Sequence, residues 1–269
     1  MKRAARVVLL SVLFAFLAGT AIVMLGYSAG KQREMTCVRS EISISRGNFD
    51  VYLQNRDVER WLKDHGIVIA GKKSREVSTS NVEHVLLQNP YVASAQVYMT
   101  QDGTCHLRVE QRNPVLKVAC TDGRMYQIDR NGVEMPVNTD YAVRLRVASG
   151  YIPFAPEYGL DVTGIADTLP RAVLKRLFEI NAFLAADPLW DVLFEQIYVT
   201  YAGEYELVPK VGGQLVKLGK VKDRNDLADK MKRLELFYKK GVNACGWEKY
   251  SVLNLKYRNQ LVATKRVDF

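Results

Sequence analysis

The chain has 269 residues, 48% of them hydrophobic and 25% charged, with a net charge of +9. Those proportions exclude a disordered polar chain and a low-complexity linker. The basic excess raises nucleic acid as a partner, but three of the positive charges sit in the first six residues, ahead of an apolar run, and the rest fit a solvated surface facing anionic lipid headgroups.

That apolar run, Val7 to Gly30, spans 24 residues without a charge. Roughly 20 apolar residues cross a bilayer core. A cleavable signal peptide would have a core of roughly 7–15 residues and a small-x-small site; Tyr27 breaks such a site before Ala29. A globular helix would show a polar face, and this run has none. Residues 7–30 are therefore expected to be a transmembrane signal anchor in the lipid bilayer. Lys2, Arg3 and Arg6 precede the run and Lys31, Arg33 and Arg39 follow it, so the charge counts are close; the six-residue basic head is simpler to leave inside than the long C-terminal part, and residues 1–6 are expected on the cytoplasmic side.

After the anchor, Glu41 to Ser45 alternates and reads as a strand. Val58, Trp61 and Leu62 keep helical spacing, which predicts a helix from about Asp57 to His65 closed by Gly66. Ser80 and Glu83 are spaced as a capping box for a second helix, which must stop near Asn89 because Pro90 follows. Ala95, Val97 and Met99 alternate, Asp102-Gly103 marks a hairpin turn, and Cys105, Leu107 and Val109 alternate on the return. The order β-α-α-β-β predicts a small domain over residues 31–115, with both helices on one face of a three-stranded sheet.

From Val115 the texture becomes that of a larger mixed β domain, residues 116–269, with two helices. Val115 to Cys120 and Met125 to Ile128 read as strands, with turns at Asp122-Gly123 and Asn131-Gly132 and a stop at Pro136. Val143, Leu145 and Val147 alternate before Ser149-Gly150. A proline-containing loop leads to a helix from Arg171 to Ala186, then strands at Gln196 to Thr200, Glu204 to Val208 and Gln214 to Leu218. Leu227, Met231, Leu234 and Tyr238 stripe a second helix, with Lys230 among the lysines expected on its solvated side. Tyr250 to Tyr257 and Leu261 to Arg266 read as the last two strands. The whole is an α+β chain behind a single N-terminal transmembrane helix.

No catalytic pattern emerges. The histidines, His65, His84 and His106, show no helical zinc-binding spacing, and there is no G-x-S-x-G, G-x-G-x-x-G or phosphate-binding loop. The expectation is no enzyme, no cofactor, no metal, no small-molecule substrate and no nucleic acid. Cys37, Cys105, Cys120 and Cys245 form no C-x-x-C; disulfides in an oxidising compartment and buried free thiols both fit.

Three stretches carry a resemblance. Asn89-Pro-Tyr-Val92, Ala95-x-Val97-Tyr98 and Gly103-x-x-x-Leu107-Arg-Val-Glu-Gln-Arg-Asn-Pro-Val115 follow one another; Tyr126-Gln-Ile-Asp129 precedes Gly132; and Leu253-Asn-Leu-Lys-Tyr-Arg-Asn259 lies near the C-terminus. In this order, behind an anchor, they resemble the FtsQ/DivIB family of bacterial division proteins, which carry a POTRA domain and a β domain. Gln260 stands where that family usually has glycine, and residues 46–56 look like extra sequence. The resemblance implies a divisome scaffold concentrated at the septum, with the bulk of the chain periplasmic. It implies recruitment of an FtsB-like and FtsL-like pair by β-strand addition, and so control of septal peptidoglycan synthesis. By matched position it puts partner contacts at Lys256, Tyr257, Asn259, Leu261 and Ala263. Two other classes compete: a POTRA-containing envelope assembly or secretion protein, which would need many barrel strands or lack the anchor, and an anchored envelope hydrolase, which would need a nucleophile–base pair in one pocket.

Overall fold

The computed structural model describes residues 14, 16–20, 36–47, 51–73, 76–141, 143–242 and 249–266. The expected anchor lies outside the described residues except for 14 and 16–20, which are helical and exposed. Among the described residues, no helix is long and apolar enough to cross a membrane. The chain forms two compact units: Met1–Gly47 with Leu53–Gln111, and Asn48–Tyr52 with Arg112–Phe269.

The first unit runs β1 (Arg39–Ser45), α1 (Asn55–Asp64), α2 (Thr79–Leu87), β2 (Val92–Met99) and β3 (Thr104–Gln111), with sheet order β1-β3-β2. β1 lies parallel to β3 and β2 antiparallel to it. α1 opens with a reciprocal cap between Gln54 and Asp57 and closes at Gly66, whose φ of +73 suits a residue without Cβ. α2 is capped by Ser78, which accepts from Asn81 N, and not by Ser80. Glu83 is therefore free of capping, and its carboxylate instead accepts from Val97 N at 2.7 Å, tying the helix to β2. Trp61 Nε1 donates to Val85 O at 2.8 Å, joining the helices. Val58, Leu62, Val82 and Leu86 pack with Val97, Leu107 and Val109 in one core, so both helices cover the same sheet face.

Among the described residues, the second unit is built on a nine-stranded sheet. Its strands are β4 (Pro114–Ala119), β5 (Met125–Asp129), β6 (Glu134–Pro136), β7 (Arg146–Gly150), β8 (Phe194–Val199), β9 (Tyr205–Pro209), β10 (Leu215–Gly219), β11 (Tyr250–Asn254) and β12 (Val262–Lys265). Their order is β12-β11-β10-β9-β8-β7-β4-β5-β6. The helices are α3 (Ala172–Ala185), α4 (Pro188–Leu193) and α5 (Arg224–Leu236). Leu174, Leu177 and Ile180 of α3 and Leu227, Met231 and Leu234 of α5 share one apolar cluster with Leu116, Ile128, Ile197, Leu207, Val216 and Leu253. Residues 51 and 52, from the stretch that looked like extra sequence, also belong here. Tyr52, 1% exposed, donates through its hydroxyl to Gln127 and accepts from Asn138 N at 2.7 Å.

Three further features depart from the sequence pattern. α4 was not anticipated, although Asp187 caps it and Pro188 sits in its first turn. The buried residues of β7 are Arg146 and Ala148, not Val147. The guanidinium is accommodated because Phe194 O, Asn181 Oδ1 and the Asp191 carbonyl and carboxylate all accept from it. Lys230 is 5% exposed, and its ammonium donates to Lys220 O and Asp226.

Candidate functional site

A β-sheet offers unpaired N–H and C=O groups only at its two borders, and the second unit treats its borders differently. At β6 the chain closes over itself. Glu134 N donates to Leu160 O, Gly159 N to Glu134 O, and Val162 N to Gly132 O, each at 2.9 Å; Val133 bridges Asp161. Glu134 is 1% exposed and its carboxylate accepts from Glu157 N at 2.7 Å. Burial, ahead of any other cause, raises its pKa.

At the other border, β12 pairs with β11 alone among the described residues. Arg266 N donates inward to Lys249 O at 2.9 Å, and Thr264 O accepts from Ser251 Oγ on β11. Backbone groups alternate in direction along an antiparallel strand. Val262 and Thr264 therefore direct their amides to β11, and Ala263 and Lys265 direct theirs outward. Val262 is 43% exposed, while Ala263 and Leu261 pack part-buried on the core.

The five sequence-predicted contact residues all fall beside this border, but not all on a strand. β11 ends at Asn254 and β12 begins at Val262, so Lys256, Tyr257, Asn259 and Leu261 lie in the connection and Ala263 alone of the five is on a strand. The Asn254 side chain stops the strand by accepting from Lys256 N at 3.0 Å. Asn259 takes the left-handed conformation, φ 59. That placement explains Gln260: the residue needing positive φ is the asparagine before it, so no glycine is required there.

The connection is held from two sides. Arg233 of α5 donates through Nη1 to Tyr257 O and Gln260 O, both at 2.7 Å. The Lys256 stem lies on Gly219, where an added Cβ would stand 2.7 Å from Lys256 Cγ, and its ammonium pairs with Glu204. The Tyr257 ring is left 52% exposed. Sequence reasoning missed Arg233, because a basic residue on a polar helix face gives no sign that it reaches two carbonyls. Beside the connection runs a groove of mixed charge, with Lys222, Asp229, Arg233 and Lys256 in its lining.

A second cavity, of about 500 Å³, is lined by Tyr52, Arg146, Asn181 and Lys210 among others. Arg146 is already bonded on every side to protein acceptors, so this cavity has a structural cation rather than one aimed at a ligand. Among the described residues, no group of three His, Cys, Asp or Glu could hold a metal ion.

Residues 113–264 match the family described as FtsQ/DivIB, C-terminal related. Residues 35–110 match the POTRA-like domain. No curated protein matches the chain.

Proposed function

The chain belongs to the FtsQ/DivIB family, and from that premise we propose that it is a divisome scaffold that recruits its partners through the free border of β12. The FtsQ/DivIB-related match supports a role in cell division. In this reading residues 7–30 anchor the chain in the cytoplasmic membrane, the basic head stays inside, and the two units work outside at the septum. An FtsB-like chain, paired with an FtsL-like one, adds a strand beside β12 and so brings septal peptidoglycan synthesis under control.

The observation that carries the reading is the asymmetry of the sheet. One border is closed by residues 159–162, while the other presents the outward amides of Ala263 and Lys265. Strand addition gains affinity from main-chain bonds and specificity from side chains nearby. Tyr257 supplies a half-exposed aromatic face with a polar tip beside that border, and Lys256 and Asn259 fix how it is offered. Leu261 and Ala263 seat the strand on the core.

Tagged full-length protein extracted from membranes should co-purify the FtsB-like partner, and Tyr257→Asp should lose it while circular dichroism stays unchanged. Normal recovery by a folded variant would refute the role of this surface. A fluorescent fusion should form a mid-cell ring; uniform envelope signal would count against the division role.

A further inference from the structure

Cys37 and Cys105 are both fully buried, at 0% exposure, in the core of the first unit. The chain just ahead of β1 brings them together. Cys37 does not continue the ladder with β3: its N donates to Lys72 O and its O accepts from Gly71 N, each at 2.8 Å. That turns it out of the strand toward the 71–72 loop. Val38 then rejoins, donating to Gly103 O at 2.9 Å, and Ser40 pairs with Cys105. Cys105 sits at the buried positions of β3 with Leu107 and Val109, in the same apolar cluster as Cys37; both thiols are free, and that of Cys37 donates to Arg39 O at 3.3 Å. Burial, then the adjacent Cys37 thiol, pushes Cys105 up to about 11. Cys120 is elsewhere, in the second unit, with its thiol donating to Phe154 O at 3.2 Å.

We infer that Cys37 and Cys105 are a disulfide-forming pair that fastens the entry of the chain into β1 to the central strand β3. The inference rests on the extracytoplasmic placement proposed above, because that compartment supplies an oxidant. The reaction needs a disulfide-bearing thiol oxidant of the envelope. One thiolate attacks the oxidant's disulfide, the second cysteine displaces it, and two S–H bonds become one S–S bond while the oxidant leaves as two thiols. Burial makes this a step of folding, completed before the core closes. The consequence is mechanical. β1 is a border strand of its sheet, and in the proposed reading the anchor precedes it, so tension on that tether would peel it from β3. A covalent link at its leading end resists that peeling.

The test is to refold denatured, reduced full-length chain in detergent with a glutathione redox buffer, quench in acid, alkylate under denaturing conditions and map peptides by mass spectrometry. The expected product is a Cys37–Cys105 cross-linked peptide, lighter than its two parts by two hydrogens, with Cys120 alkylated. Alkylated Cys37 and Cys105, or linkage of either to another cysteine, would overturn the pairing. Acid-trapping the thiols in whole cells separates the premise from the chemistry. A pair that oxidises on refolding yet is found reduced in cells would overturn the extracytoplasmic placement and the bond's role there.

Discussion

Two neighbouring proline substitutions should have opposite effects, because the amides of Val262 and Ala263 point in opposite directions. Ala263→Pro removes an outward N–H and places the pyrrolidine ring where an added strand would run, about 4.8 Å away. Prolines are tolerated on a border strand when the lost N–H faces solvent, so the β11–β12 ladder should survive. One prospective main-chain bond goes with that N–H and the bulk of the ring displaces the added strand from a second, at about 1 kcal/mol each, which corresponds to roughly thirtyfold weaker partner binding. Val262→Pro instead deletes an inward bond to β11 and should destabilise the sheet by about 3 kcal/mol. In a domain of this size that lowers Tm by roughly 6–12 °C. Binding would be read by calorimetry with the FtsB-like segment, and stability by thermal melting. If Ala263→Pro binds as tightly as the parent, docking does not use this border. If it melts as low as Val262→Pro, the assigned direction of the amides is wrong.

Replacing Arg146 by Met should strand two buried acceptors, Phe194 O and Asn181 Oδ1. A loss of about 3 kcal/mol should appear as a lower urea midpoint with unchanged slope; an unaltered midpoint would show that the guanidinium network contributes nothing net. Asp102 has its pKa lowered from 3.8 to about 2, first by the Thr100 hydroxyl and then by Thr104. A depressed carboxyl stabilises the fold above its unfolded pKa and loses that effect as pH falls through its folded one. Asp102→Asn should therefore be less stable than the parent above pH 3.8, with the gap closing by about pH 2; a gap independent of pH would contradict this.

Much of the fold was legible because apolar periodicity and turn chemistry agree with the tertiary structure. Asp102-Gly103 and Asn131-Gly132 mark turns whose glycines have φ of +81 and +85, and Gly132 also admits no Cβ, which would meet Thr163 at 2.5 Å. The misses occurred where a polar side chain finds a distant partner. Arg146 occupies a buried strand position because its acceptors come from α3 and the 191–194 segment. Lys230 is buried because Lys220 O and Asp226 lie within its reach. Neither partner can be seen in a local window. The site was legible only as a place. Its residues sit together beside the border, but Asn254 ends β11 early and moves Lys256, Tyr257 and Asn259 into a turn. The carbonyl clamp by Arg233 spans 24 and 27 residues of sequence, beyond any spacing rule.

The closure at β6 has a consequence for stoichiometry. A sheet open on both flanks can stack copy upon copy without limit, whereas one sealed on one flank has a single vacancy. Two copies of this unit could satisfy each other only β12 to β12, a closed pair that consumes both vacancies at once. In the proposed reading, self-association and partner capture then compete for the same flank of this sheet, because the loop that covers Glu134 closes the other.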